Sequence, residues 1–89
     1  MKLIIEKRAY THPKIALTVS SSTTKLKVPC GLPGEFVDRL AAFAVYVTNA
    51  YQMAPRKTMR GLIGLTADGK LHIDLQADGV KSPMPIVEE

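Results

Sequence analysis

Leu62-Ile63-Gly64-Leu65-Thr66-Ala67-Asp68-Gly69-Lys70-Leu71-His72-Ile73-Asp74-Leu75-Gln76-Ala77 is the stretch whose reading decides the fold. In its second half Leu71, Ile73, Leu75 and Ala77 alternate with Lys70, His72, Asp74 and Gln76. That two-residue period belongs to a strand with one buried and one wet face. The first half, residues 62–66, can pair with it through Ala67, Asp68 and Gly69, because Asp-Gly between two apolar runs is a strong hairpin signal. The competing reading makes residues 58–65 a short helix.

Outward from this centre, residues 2–10 read as a first strand, broken around Thr11, His12, Pro13 and Lys14. Ile15, Leu17 and Val19 alternate with Ala16 and Thr18 in a second strand. Residues 20–24 are a polar connector. Leu26 and Val28 alternate with Lys25 and Lys27 in a third strand, which Pro29 stops by lacking an amide donor. The first third therefore reads as a meander. Pro33, Gly34 and Glu35 suit a first helical turn, and Phe36, Leu40, Phe43, Ala44, Val47 and Tyr51 then fall on one stripe, with Asp38, Arg39 and Asn49 off it. The end of this helix is ambiguous, since residues 45–48 are β-branched or aromatic and suit a strand as well. Pro55 closes either version. The expected fold is α+β: an antiparallel sheet of four to five strands with one main helix on one face. The helix stripe then packs on Leu17, Val19, Leu26, Ile73 and Leu75. Residues 1–80 form the single domain, and residues 81–89, with Pro83 and Pro85, an extended or disordered tail that can also pair at a sheet edge.

Composition bounds the function. The 89 residues are 46% hydrophobic and 22% charged with mean hydropathy +0.05, which points to a small globular domain. The longest apolar run, residues 40–47, is far short of the roughly 20 residues that span a bilayer, and the first residues do not form a secretory leader. A cytoplasmic location is expected. Cys30 is the only cysteine, so an internal disulfide is excluded, and two distant histidines give no zinc spacing. No metal, cofactor or enzyme motif is read, and His72 with Asp74 reads as part of a wet sheet face. A domain this small gains from self-association, so a homodimer through a sheet edge is compatible with the sequence.

Charge is polarised along the chain. Residues 1–60 carry ten Lys and Arg against three acids, net +7, and residues 61–89 carry two against five, net −3. Lys7, Arg8, Lys25, Lys27, Arg56, Lys57 and Arg60 can meet phosphates, with Arg56, Lys57 and Arg60 as the densest patch. Alternatively they form an ordinary solvated face. The aromatics lie mainly on the helix stripe, where packing accounts for them.

Lys57-Thr58-Met59-Arg60-Gly61-Leu62-Ile63-Gly64-Leu65, with the strand after it and Asp78-Gly79, resembles the central segment of the phosphocarrier protein HPr family. The resemblance covers about residues 45–79. It implies a short helix holding Thr58 at the place of a regulatory serine, and a strand over residues 45–47. It also implies a phosphoryl-accepting His12 after the first strand, with Lys14 where the family holds the phosphate with an arginine. The family's Gly-Leu-His-Ala-Arg-Pro signature is not present, since Gly31-Leu32 runs into Pro33. Two functions are thus expected. One is a non-enzymatic interaction module with a protein partner, an HPr-like carrier or regulator acting through His12, Lys14 and Thr58. The other is a basic module for nucleic acid or another anion.

Overall fold

The computed structural model describes residues 2–9, 14–20, 22–50, 58–77 and 85–88. In chain order its elements are strands β1 (Lys2–Arg8), β2 (Ile15–Val19) and β3 (Thr23–Pro29), helix α1 (Gly34–Ala50), then β4 (Met59–Leu65), β5 (Leu71–Ile73), β6 (Gln76–Ala77) and β7 (Ile86–Val87). They form an α+β domain in which one mixed sheet is ordered β1-β3-β2-β4-β5-β7, with β6 pairing β4. β3 and β4 each run antiparallel to β2, so the connection through α1 joins two parallel strands with a third between them, a split β-α-β unit. α1 covers one face. The described helix is too short and insufficiently apolar to cross a membrane.

The alternating pattern sets the faces. Ile15, Leu17 and Val19 of β2, Leu26 and Val28 of β3, Met59 and Ile63 of β4, and Leu71, Ile73 and Leu75 point to the helix and are buried. They meet Leu40, Phe43, Ala44 and Val47 of α1, and Phe36 packs at the margin. Val37 is buried as well, although it lies off the stripe read from spacing. The helix starts where the Pro33 carbonyl accepts from the amides of Phe36 and Val37, so Pro33 precedes the first turn and Glu35 sits at its positive end.

Three expectations are corrected. The strands are not all antiparallel and the first three are not a meander: β1 pairs β3 in parallel, Ile4 beside Lys25 and Glu6 beside Lys27. Alternation decides which face a side chain takes, but not which strand is its neighbour. The parallel ladder is extended at both ends by Lys2 N–H to Ser22 O, 3.0 Å, and Cys30 N–H to Arg8 O, 2.9 Å. Second, the extended reading of residues 45–48 fails, because α1 runs through them to Ala50. Burial of Ala44 and Val47 outweighs the weak helix propensity of the branched residues. The Thr48 hydroxyl donates to Ala44 O at 2.8 Å and meets the hydroxyl of fully buried Thr24 at 2.9 Å, tying the last turns to β3. Third, residues 59–65 are strand and not helix, so the short helix implied by the HPr resemblance is absent there.

The hairpin reading of that stretch holds: Ile63 pairs Ile73 and Leu65 pairs Leu71. Its turn closes with Gly69 N–H to Thr66 O at 3.0 Å and Thr66 N–H to Lys70 O at 2.8 Å, and Gly69 takes φ +83°. This is the three-residue hairpin loop in which glycine occupies the left-handed position. β5 and β6 follow β4 in one register on either side of a break at Asp74 and Leu75. Within the tail, Ile86 pairs Ile73 and Val87 pairs His72, so these residues belong to the sheet. They are pinned by Arg39 of α1. Its Nε donates to both oxygens of the Glu88 carboxylate at 3.0 and 3.1 Å, and its Nη2 donates to Gly69 O at 2.6 Å and to Glu88 Oε1. One side chain thus joins the helix, the hairpin turn and the last strand. The outer edge of β1 has no neighbouring strand among the described residues, and Lys2, Lys7 and Arg8 along it oppose edge-to-edge pairing.

Candidate anion-binding face

With α1 on one side, the opposite face of the sheet is open among the described residues. Strand parity decides what stands on it. Lys25 and Lys27 alternate with buried Leu26 and Val28, and Arg60 and Leu62 alternate with buried Met59 and Ile63. The register then aligns these side chains across strands. One transverse row runs Ile4, Lys25, Thr18, Arg60, Gln76. The next runs Glu6, Lys27, Ala16, Leu62. Lys25 and Arg60 are two strand spacings apart, about 10 Å, and the rows lie about 7 Å from one another. Sheet twist leaves a concavity of about 700 Å³ over this region, lined by Ala16, Thr18, Thr23, Lys27, Arg60 and Leu62 among others.

The electrostatics are asymmetric. Lys2, Arg8, Lys25, Lys27 and Arg60 share this face with only Glu6 and Asp74 as acids. Glu6 is neutralised locally: its Oε1 is 3.2 Å from Lys25 Nζ and its Oε2 3.0 Å from Arg8 Nη2. Hydrogen bonds from Lys25 first, then Arg8, hold its carboxyl below the usual carboxylate range. Asp74 Oδ1 lies 3.7 Å from His72 Nε2, the pair that alternation places on the wet face. Among the described residues, neither Lys27 nor Arg60 has a carboxylate within salt-bridge distance. With Lys2 at the start of β1, which has no such carboxylate either, they are the cations of this face left for a ligand. Leu62 is 56% exposed between them and Asp74, an apolar side chain beside a charged row.

The residues singled out from sequence are distributed differently from expectation. His12, Arg56 and Lys57 lie outside the described residues. Lys14 precedes β2 and Thr58 precedes β4, and these strands are antiparallel with Ile15 opposite Ile63 and Val19 opposite Met59. Lys14 and Thr58 therefore stand at opposite ends of the strand pair, separated by roughly 15–20 Å. Thr58 lines the concavity with Arg60. Of the Arg56, Lys57 and Arg60 patch, Arg60 is on the open face, and its partners there are Lys25 and Lys27, more than thirty positions away in sequence. Cys30 is exposed at the end of β3. Thr18, Ala16 and Leu62 are not legible as site residues, because only the strand order β3-β2-β4 sets Thr18 and Ala16 between the cations and Leu62 beside them. Comparison of the chain with protein-family models, curated proteins and solved structures finds no match.

Proposed function

We propose that this protein is a small binding module that holds an anionic partner against its open sheet face. The observation that carries the reading is the pair Lys27 and Arg60, lacking carboxylate partners among the described residues and flanking a 700 Å³ concavity on a face with excess positive charge. Cations fixed on the two strands that flank β2 lose little freedom when a polyanion arrives, and the counterions released from the polyanion favour binding. Thr18, between Lys25 and Arg60, and Thr23, at the start of β3, supply hydroxyl donors on the lining of the concavity. Two-sided sheets with one face on a helix suit this role, because the covered face supplies stability while the other remains available for contact.

The test is a titration of isotope-labelled protein with heparin, followed by amide chemical shifts. Perturbations are expected at Thr18, Lys27, Arg60 and Leu62, and Lys27→Gln with Arg60→Gln should abolish them without loss of fold. Shifts confined to α1, or none at millimolar heparin, would overturn the reading.

A further inference from the structure

We infer that the free edge of β1 pairs with β1 of a second copy of this chain, antiparallel and centred on Ile4, to give a symmetric dimer. The outer edge of β1 has no neighbouring strand among the described residues. Its ladder with β3 fixes which backbone groups are free. Lys2 N–H and the Arg8 carbonyl both point to β3, so Ile4 and Glu6, of the same parity, do too. Leu3, Ile5 and Lys7 therefore turn their N–H and C=O groups to the open edge. Ile5, opposite buried Leu26 on the helix side of the sheet, is 40% exposed there.

Charge selects the register. A two-fold axis normal to the sheet keeps both helices on one side and sets residues symmetric about one position opposite each other. Centred on Ile5, it puts Lys2 opposite Arg8 and Leu3 opposite Lys7; centred on Glu6, it puts Glu6 opposite itself and Ile5 opposite Lys7. In these registers the cations of β1 oppose edge pairing. Centred on Ile4, Lys2 stands opposite Glu6 of the second copy, Leu3 opposite Ile5 and Ile4 opposite Ile4, while Lys7 and Arg8 fall beyond the Lys2–Glu6 pairs. The two Leu3–Ile5 pairs exchange both of their hydrogen bonds across the edge, and Lys2–Glu6 and Ile4–Ile4 are the closer, non-hydrogen-bonded pairs. Lys2 has no carboxylate within salt-bridge distance in its own chain among the described residues, and Glu6, though it receives Lys25 and Arg8, keeps acceptor sites for a third donor. Such an exposed pair fixes the register more than it adds affinity. Residues 2–6 of each copy bury less than the roughly 1,200 Å² of a standard interface, so the dimer is weak, with Kd on the order of 100 μM. The same axis sets the two Ile4–Lys25–Thr18–Arg60 rows end to end on one open face, although the pairing does not depend on the anion-binding reading.

The experiment is sedimentation equilibrium of the full chain, with cysteine cross-linking to read the register. The protein should pass from monomer towards dimer between about 10 μM and about 1 mM. In a Cys30→Ser background, Ile4→Cys should form an intermolecular disulfide at least about tenfold faster than Ile5→Cys under mild oxidation. Facing Cα atoms at position 4 are about 4.5 Å apart, within the roughly 4.4–6.8 Å that a disulfide spans, whereas those at position 5 are more than about 8 Å apart. Ile5→Pro removes an N–H that is turned away from β3, so it should weaken association at least about tenfold with a native circular dichroism spectrum. If that variant unfolds, the cross-linking comparison decides alone. A monomer at about 1 mM leaves the edge to a strand of a different protein and overturns the dimer. Cross-linking of Ile5→Cys as fast as Ile4→Cys, or undiminished association of folded Ile5→Pro, overturns the Ile4-centred pairing and the proposal with it.

Discussion

Replacing Gly61 by alanine should destabilise the protein, while the same change three residues along the same strand should not. A Cβ built on Gly61 would lie 2.5 Å from the Asp74 carbonyl oxygen and 2.9 Å from Ile73 Cγ1. The first distance is about 0.9 Å inside the 3.4 Å at which ordinary contact begins, and the opposing atom is backbone. The chain at the β5–β6 break closes over β4 at this point, and it can make room only by moving Asp74 away. That movement strains the ladder on both sides, which keeps one register through Ile63–Ile73 and Arg60–Gln76. Overpacking of this kind costs about 1–3 kcal/mol. At Gly64 an added Cβ meets nothing within 4 Å, and the φ there is not in the left-handed region. Alanine at that position restricts the unfolded chain without a clash and should add about 0.4–1 kcal/mol of stability. The two variants should differ by about 3 kcal/mol, which is roughly 12–24 °C in Tm for a domain of this size. Thermal melts by circular dichroism, with urea titration as a check on the slope, measure it directly. If Gly61→Ala melts at or above Gly64→Ala, the close approach does not constrain the fold and the argument fails.

Two further outcomes follow from the packing and the clamp. Phe43 is the largest fully buried side chain among the described residues, so Phe43→Ala should lose about 3–5 kcal/mol, seen as a lower urea midpoint. Arg39 holds the Glu88 carboxyl below its ordinary value of 4.5, chiefly through its hydrogen bonds. The native state thus binds that proton more weakly than the unfolded chain, so the clamp is fully present above about pH 4.5 and is lost as pH falls through the lowered native value. Glu88→Gln should flatten stability against pH in that acid window, and amide exchange at Leu71 and His72 should quicken as β7 loosens. An unchanged acid profile would remove Glu88 from the account.

The open face shows how far sequence reading reaches. Lys25 and Lys27 are readable as surface residues because they alternate with Leu26 and Val28, and Arg60 because it precedes a hairpin whose turn chemistry is local. Their assembly into one patch is not readable. It depends on β2 lying between β3 and β4, which in turn depends on the helix crossing over one strand. The placement of Lys14 and Thr58 at opposite ends of antiparallel neighbours is set by the same strand order. Arg39 lies off the helix stripe in the sequence pattern, yet it joins three elements. Its partners, Glu88 and the Gly69 carbonyl, are brought to it by folding, and no local pattern marks them.

What the amino-acid sequence determined by itself is the set of elements that follow from short-range periodicity and turn chemistry. The core stripe of Leu40, Phe43 and Val47, the alternation of β2 and β5, and the Asp68–Gly69 turn all depend on neighbours within a few residues. Tertiary structure alone decided the parallel pairing of β1, the extension of α1 through branched residues 45–48, and the seating of β7 under the Arg39 clamp. In each of these, several local conformations differ by only tenths of a kcal/mol per residue. Burial against distant segments, at about 25 cal/mol for each Å² of apolar surface removed from water, selects among them.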